Sequence, residues 1–102
     1  MIKINAEKRG RHFLLEVSGH ADFSKTNDIV CAAVSTLYYT LASAVCKEKS
    51  VKSLSRFEKS GFAQIEFFAP ESFNTAFKTV ISGFALISEQ YPNNVGLKYK
   101  NN

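Results

Sequence analysis

Apolar and polar residues alternate one by one at the start of the chain, with Ile2, Ile4 and Ala6 on one side and Lys3 and Asn5 on the other. After Arg9-Gly10-Arg11 the alternation resumes through Phe13, Leu15 and Val17. Two period-two stretches joined across a glycine predict a β-hairpin. The stretches Val51–Ser60 and Phe62–Ala69 predict a second hairpin turning at Ser60-Gly61, and Val95–Lys100 predicts a short fifth strand.

Between these stretches the period changes. Val30, Ala33, Val34, Leu37, Leu41 and Val45 keep helical spacing, with Asp28 ahead of them as a favoured N-cap residue. The run closes near Lys47-Glu48-Lys49, where cations suit a helix C-terminus. A second helix is expected from Pro70-Glu71 to about Tyr91, with Phe73, Phe77, Val80, Ile81, Phe84 and Ile87 as its apolar stripe. The predicted order is ββαββαβ: one α+β domain over residues 1–102, with two helices packed on a mostly antiparallel sheet. Apolar residues spread beyond one face of each helix. Phe73, Phe77 and Phe84, together with Leu86 and Ile87, are more than one small sheet is expected to cover, which predicts a homodimer.

Composition adds limits. With 102 residues, 45% of them hydrophobic and 22% charged, the chain suits one modest core and carries no disordered bias. Its formal charge of +4 is dispersed: Lys8, Arg9 and Arg11 form one small group, and Lys47 to Lys59 a looser one. That spread reads as solvated surface, and without an aromatic–basic block no direct nucleic-acid binding is expected. Ile29–Cys46 has no charge and approaches membrane-span length, but Ser35, Thr36, Thr40 and Ser43 dilute it, so a core helix is expected and no membrane. The opening MIKINAEK lacks the apolar core of a signal peptide, which points to the cytoplasm, where two cysteines stay free thiols.

The candidate chemistry lies at the seam between the second strand and the first helix. With Asp28 as N-cap, Cys31 is in the first helical turn, where free N–H groups and the helix dipole favour a negatively charged sulfur. His20, in Gly19-His20-Ala21, stands where the loop before Asp28 can fold it over that turn as an imidazolium partner or base. Taken singly, Cys31 also reads as a small core residue and His20 as a loop residue. Cys46 is about 22 Å from Cys31 along a continuous helix at ~1.5 Å per residue, which rules out a disulfide or shared metal. His12, within a strand-like run, reads as structural. No phosphate loop, dinucleotide fingerprint or metal-ligand spacing is present, and no cofactor is expected.

Gly19-His20-Ala21 followed by Asp28-Ile29-Val30-Cys31-Ala32-Ala33-Val34-Ser35 resembles the signature of the ribosomal-processing cysteine protease family, Prp, and the chain agrees with it in length and element order. The resemblance implies a dimeric α+β cysteine endopeptidase that removes the N-terminal extension of a large-subunit ribosomal protein, cutting after an aromatic pair. It implies Cys31 as nucleophile and His20 as general base, with Asp28 and Ser35 in supporting roles. One departure stands out: the family pattern has a slightly longer loop with a glycine two residues before the signature Asp. Here Thr26 takes that place, followed by Asn27, a residue tolerant of left-handed backbone. The alternative is a non-catalytic ribosome-assembly or ribosome-binding module of the same fold. A redox sensor using Cys31 alone is a third reading, weakened by the absence of a nearby resolving cysteine.

Overall fold

In the computed structural model, which describes all 102 residues, both predicted hairpins form and join one sheet. Strands β1 (Ile2–Arg9) and β2 (His12–Ser18) pair antiparallel, as do β3 (Lys52–Lys59) and β4 (Phe62–Phe68). Antiparallel pairing of β2 with β4 fuses the hairpins, and β5 (Val95–Asn101) runs parallel to β1. The strand order is β3-β4-β2-β1-β5.

Alternation sorts the strand residues onto two faces. Ile4, Val17 and Ala63 fall in register on the inner face, as do Ala6, Leu15 and Ile65. Helix α1 (Ile29–Lys47) and helix α2 (Asn74–Gln90) close that face into one core. The opposite face stays open and carries His12, within β2, in contact with Glu66 at 2.6 Å beside Phe68. The helices touch closely at Gly83, where an added Cβ would lie 2.9 Å from the Leu37 methyls. At the β3 edge the pairing register shifts between Lys52 and Ser55, and Ser53 takes a φ of 55°. That is a bulge.

Three sequence expectations need correction. The second helix does not start as α-helix at Glu71: Glu71–Phe73 is a 3₁₀ turn closed by Phe73 N–H donating to the Pro70 carbonyl. That turn lets Phe73 pack edge-on against Phe13 and Phe67. Second, Phe73, Phe77 and Phe84 are all buried within one chain, while Leu86 alone turns outward at 61% exposure. The phenylalanines therefore give no argument for a dimer. Third, Lys8 is not a surface cation. It lies on the inner face, 5% exposed, with its ammonium donating to Glu71 Oε2 at 3.0 Å and to the Gly10 carbonyl at 2.9 Å.

Helix α1 is long and apolar enough to cross a membrane by length and composition, yet Val30, Val34, Tyr38, Leu41, Ala42 and Val45 are buried in the core. Its other face, including Ala33, Thr36, Thr40 and Ser43, is exposed and uncharged, so the helix is buried on one side only.

Phe77 is fully buried between the Phe13 and Tyr99 rings. Phe77→Ala is expected to cost about 3–5 kcal/mol of stability. Urea unfolding measures it, and a loss below about 1 kcal/mol would mean that the core refills the space.

Candidate active site

The chain enters α1 through a segment held by one carboxylate. Asp28, with extended backbone (φ −83°, ψ 91°), accepts the Cys31 N–H on Oδ1 at 2.8 Å, the expected N-cap bond. Its Oδ2 accepts the Phe23 N–H at 3.1 Å. The Cys31 hydrogen bond, the largest influence, holds the Asp28 carboxyl below the usual carboxylate range, partly offset by desolvation.

The rest of the loop is tied down as well. Ser24 Oγ accepts the N–H groups of Thr26 and Asn27, the Phe23 ring meets Tyr91 edge-on at 5.4 Å, and Asn94 donates to the Ala21 carbonyl at 2.8 Å. The left-handed position in this loop is Asp22, with a φ of 56°, and not Asn27. Thr26, where the family pattern has glycine, is therefore part of a hydrogen-bonded turn.

His20 follows Gly19, whose φ of 93° and contact with Met1 permit no side chain: a Cβ there would lie 2.3 Å from the Met1 carbonyl oxygen. The Gly19 N–H donates to the Gly61 carbonyl at 2.8 Å, which fastens the His20 segment to the β3–β4 turn.

These constraints put His20 and Cys31 on the same two concave surfaces. One cavity, of about 280 Å³, has an apolar wall of Val17, Val34, Tyr38, Tyr39 and Phe62, with Ser35 at its side. The other, of about 500 Å³, is formed by Asp22, Phe23, Ser24, Lys25 and Asp28. His20 and Cys31 are the two residues common to both, so they form the divide between an apolar pocket and a polar one. Cys31 is half-buried and His20 exposed, and no hydrogen bond joins them in this conformation. Such contacts often tighten only when substrate is bound.

Each predicted residue can thus be placed. Asp28 caps the helix, Cys31 and His20 share the divide, and Ser35, one turn after Cys31, lines the apolar pocket without touching Asp28's cap. The first helical turn has less to offer an oxyanion than its position implies. The Cys31 N–H is taken by Asp28 Oδ1, and the Ala32 N–H donates to the Asp28 carbonyl. The Tyr38 hydroxyl donates to Glu58 at 3.0 Å, and burial together with that bond raises its pKa, keeping it protonated.

Sequence reasoning missed the pocket walls. Tyr38, Tyr39 and Phe62 were readable only as helix or strand residues, and Ser60-Gly61 only as a turn. It also missed that Arg56 donates to Cys46 Sγ at 3.3 Å. No residue cluster suited to a metal ion is present.

The model of the cysteine protease Prp family matches residues 1–96. The chain belongs to that family. It is a cysteine protease by membership. Its fold is shared with the essential ribosomal processing protease Prp from S. aureus in complex with a covalently linked product peptide. That pair has a TM-score of 0.77 and 22% identity over 98% of this chain and 100% of the other. The same S. aureus protease with a substrate peptide gives a TM-score of 0.71 at 21% identity, over 98% of this chain and 100% of that one. SMU.848 from Streptococcus mutans gives 0.75 at 27% identity, covering 100% of this chain and 96% of its own. Among curated proteins nothing matches the chain.

The depressed Asp28 pKa sets a pH dependence. A carboxylate with a folded pKa below its unfolded value of about 3.9 adds stability above that value and loses it as pH falls through the folded one. Asp28→Asn keeps a capping side chain but no titration. Its melting temperature is expected to fall below that of the parent at pH 7, with the gap narrowing as pH drops below about 4. Thermal melts across that range check this, and a gap independent of pH would show that the charge is unimportant to the cap.

Proposed function

We propose that the protein is an endopeptidase in which Cys31 is the nucleophile and His20 the general base. The observation that carries this reading is that both residues form the divide between the two pockets. An extended peptide crossing the divide would set the residue before the scissile bond in the apolar pocket and the residues after it along the polar one. The Tyr38, Tyr39 and Phe62 wall suits an aromatic side chain, which supports cleavage after an aromatic pair.

In the reaction, His20 removes the Cys31 thiol proton and the sulfur attacks the scissile carbonyl carbon. The tetrahedral adduct collapses to a thioester as His20 gives its proton to the leaving amine. Water, deprotonated by His20, then cleaves the thioester to release the acid and restore the thiol. Asp28 works by holding the Cys31 turn, and Ser35 by shaping the pocket next to it.

The substrate in this reading is the N-terminal extension of a large-subunit ribosomal protein. Support comes from family membership and from the peptide complexes of the S. aureus ribosomal processing protease. Cleavage would take place in the cytoplasm, which agrees with two free cysteines, and without direct nucleic-acid contact. The protein would act as a homodimer. The support for that is the exposed, uncharged face of α1 and not the phenylalanines of α2.

Cys31→Ala and His20→Ala are each expected to abolish cleavage of a peptide bearing an aromatic pair, with unchanged circular dichroism. The double variant should be little worse than either single one, because the two residues act as a unit. Turnover retained by Cys31→Ala would end the cysteine-nucleophile reading.

For the oligomer, light scattering at micromolar concentration is expected to give twice the chain mass, and Thr36→Arg to give the monomer. A wild-type monomer would refute the dimer.

A further inference from the structure

We infer that Gly61, in the β3–β4 turn, is a positioning residue for His20: the absence of a side chain there is what lets the imidazole stand at the divide beside Cys31. The inference rests on the reading of His20 as general base. Gly61 has a φ of 77°, and a Cβ on it would lie 3.0 Å from His20 Nε2 and 3.5 Å from Cε1. The imidazole edge therefore lies directly against the turn.

Both backbones are tied into the sheet. The Gly61 carbonyl accepts the Gly19 N–H at 2.8 Å, and the next residues outward, Phe62 and Ser18, face one another in the β2–β4 ladder. The imidazole is the free end of a side chain, so it is the part that yields. A side chain at residue 61 is expected to leave the fold in place and push the ring a few tenths of an ångström from its position. Lys59, Ser60 and Gly61 also border the apolar pocket, so the turn is both a wall for the peptide and a stop for the base.

Gly10 supplies a control within the same chain. It occupies the other hairpin turn with a φ of 60°, and a Cβ there would meet nothing within 4 Å. Gly10→Ala therefore imposes a similar backbone cost with no contact to any site residue.

The test compares Gly61→Ala, Gly10→Ala and His20→Ala on an aromatic-pair peptide. It also follows the pH dependence of iodoacetamide alkylation in a Cys46→Ser background, where Cys31 is the one thiol. Gly61→Ala is expected to lower kcat by about 10-fold, less than the roughly 100-fold of a full 1 Å misplacement, with KM little changed. Its alkylation profile should move to higher pH, toward that of His20→Ala. Gly10→Ala should melt lower by a similar amount yet keep both kcat and profile. If Gly61→Ala folds poorly, Gly61→Asn, which tolerates a positive φ while keeping a Cβ, takes its place. A folded residue-61 variant with wild-type kcat and an unmoved profile would overturn the inference while an inactive His20→Ala leaves the dyad standing. An active His20→Ala would overturn the dyad, and the inference with it.

Discussion

The Asp28 carboxylate holds two backbone N–H groups that are five and three residues away in opposite directions along the chain, those of Phe23 and Cys31. One oxygen closes the loop, and the other closes the first turn of α1. Because the same group does both, the position of the Cys31 sulfur relative to the loop is set by a single rigid plane. There is an electrostatic consequence. The cap places negative charge at the end of the helix that would otherwise present positive charge to the sulfur, so the dipole alone is a weak source of activation. In the proposed dyad, that moves the burden onto His20, and hence onto whatever holds His20 in place.

Most of the architecture was legible because it follows from periodicity. Alternation at Ile2, Ile4 and Ala6 and at Phe13, Leu15 and Val17 is enforced by the pleat, and both sets face the core. The start of α1 was legible for a local reason, since an Asp one residue ahead of an apolar helical run has few other uses. The start of α2 was less so. Whether its first turn is α or 3₁₀ depends on where Phe73 must go, and that is decided by Phe13 and Phe67, far away in the chain. Lys8 was misplaced for a similar reason. Alternation puts it on the inner face, but only Glu71, sixty-three residues later, explains how a lysine is tolerated there.

The candidate site was half legible. The cap at Asp28 made Cys31 and His20 candidates, and the resemblance of the GHA…DIVCAAVS stretch to a family signature singled them out, without any view of the pocket between them. What stayed hidden depended on long-range pairing. The β2–β4 ladder is what brings Gly61 to His20 and Phe62 to the pocket wall, and nothing local in Lys59-Ser60-Gly61 announces it. The same holds for Arg56 and Cys46, which meet because β3 returns beneath the end of α1.

The bulge at Ser53 bears on how readily the edge of the sheet pairs with another chain. β3 is an edge strand with one side of its backbone unpaired, and it displays Leu54 and Phe57 to solvent. A regular strand of that kind is a template on which another chain can add and begin an aggregate. The register shift interrupts the row of donors and acceptors near one end, and Lys52 and Lys59 put positive charge at the two ends of the strand. At the far edge, Lys98 and Lys100 put positive charge on β5. Both open edges of the sheet thus carry features that disfavour the addition of another strand.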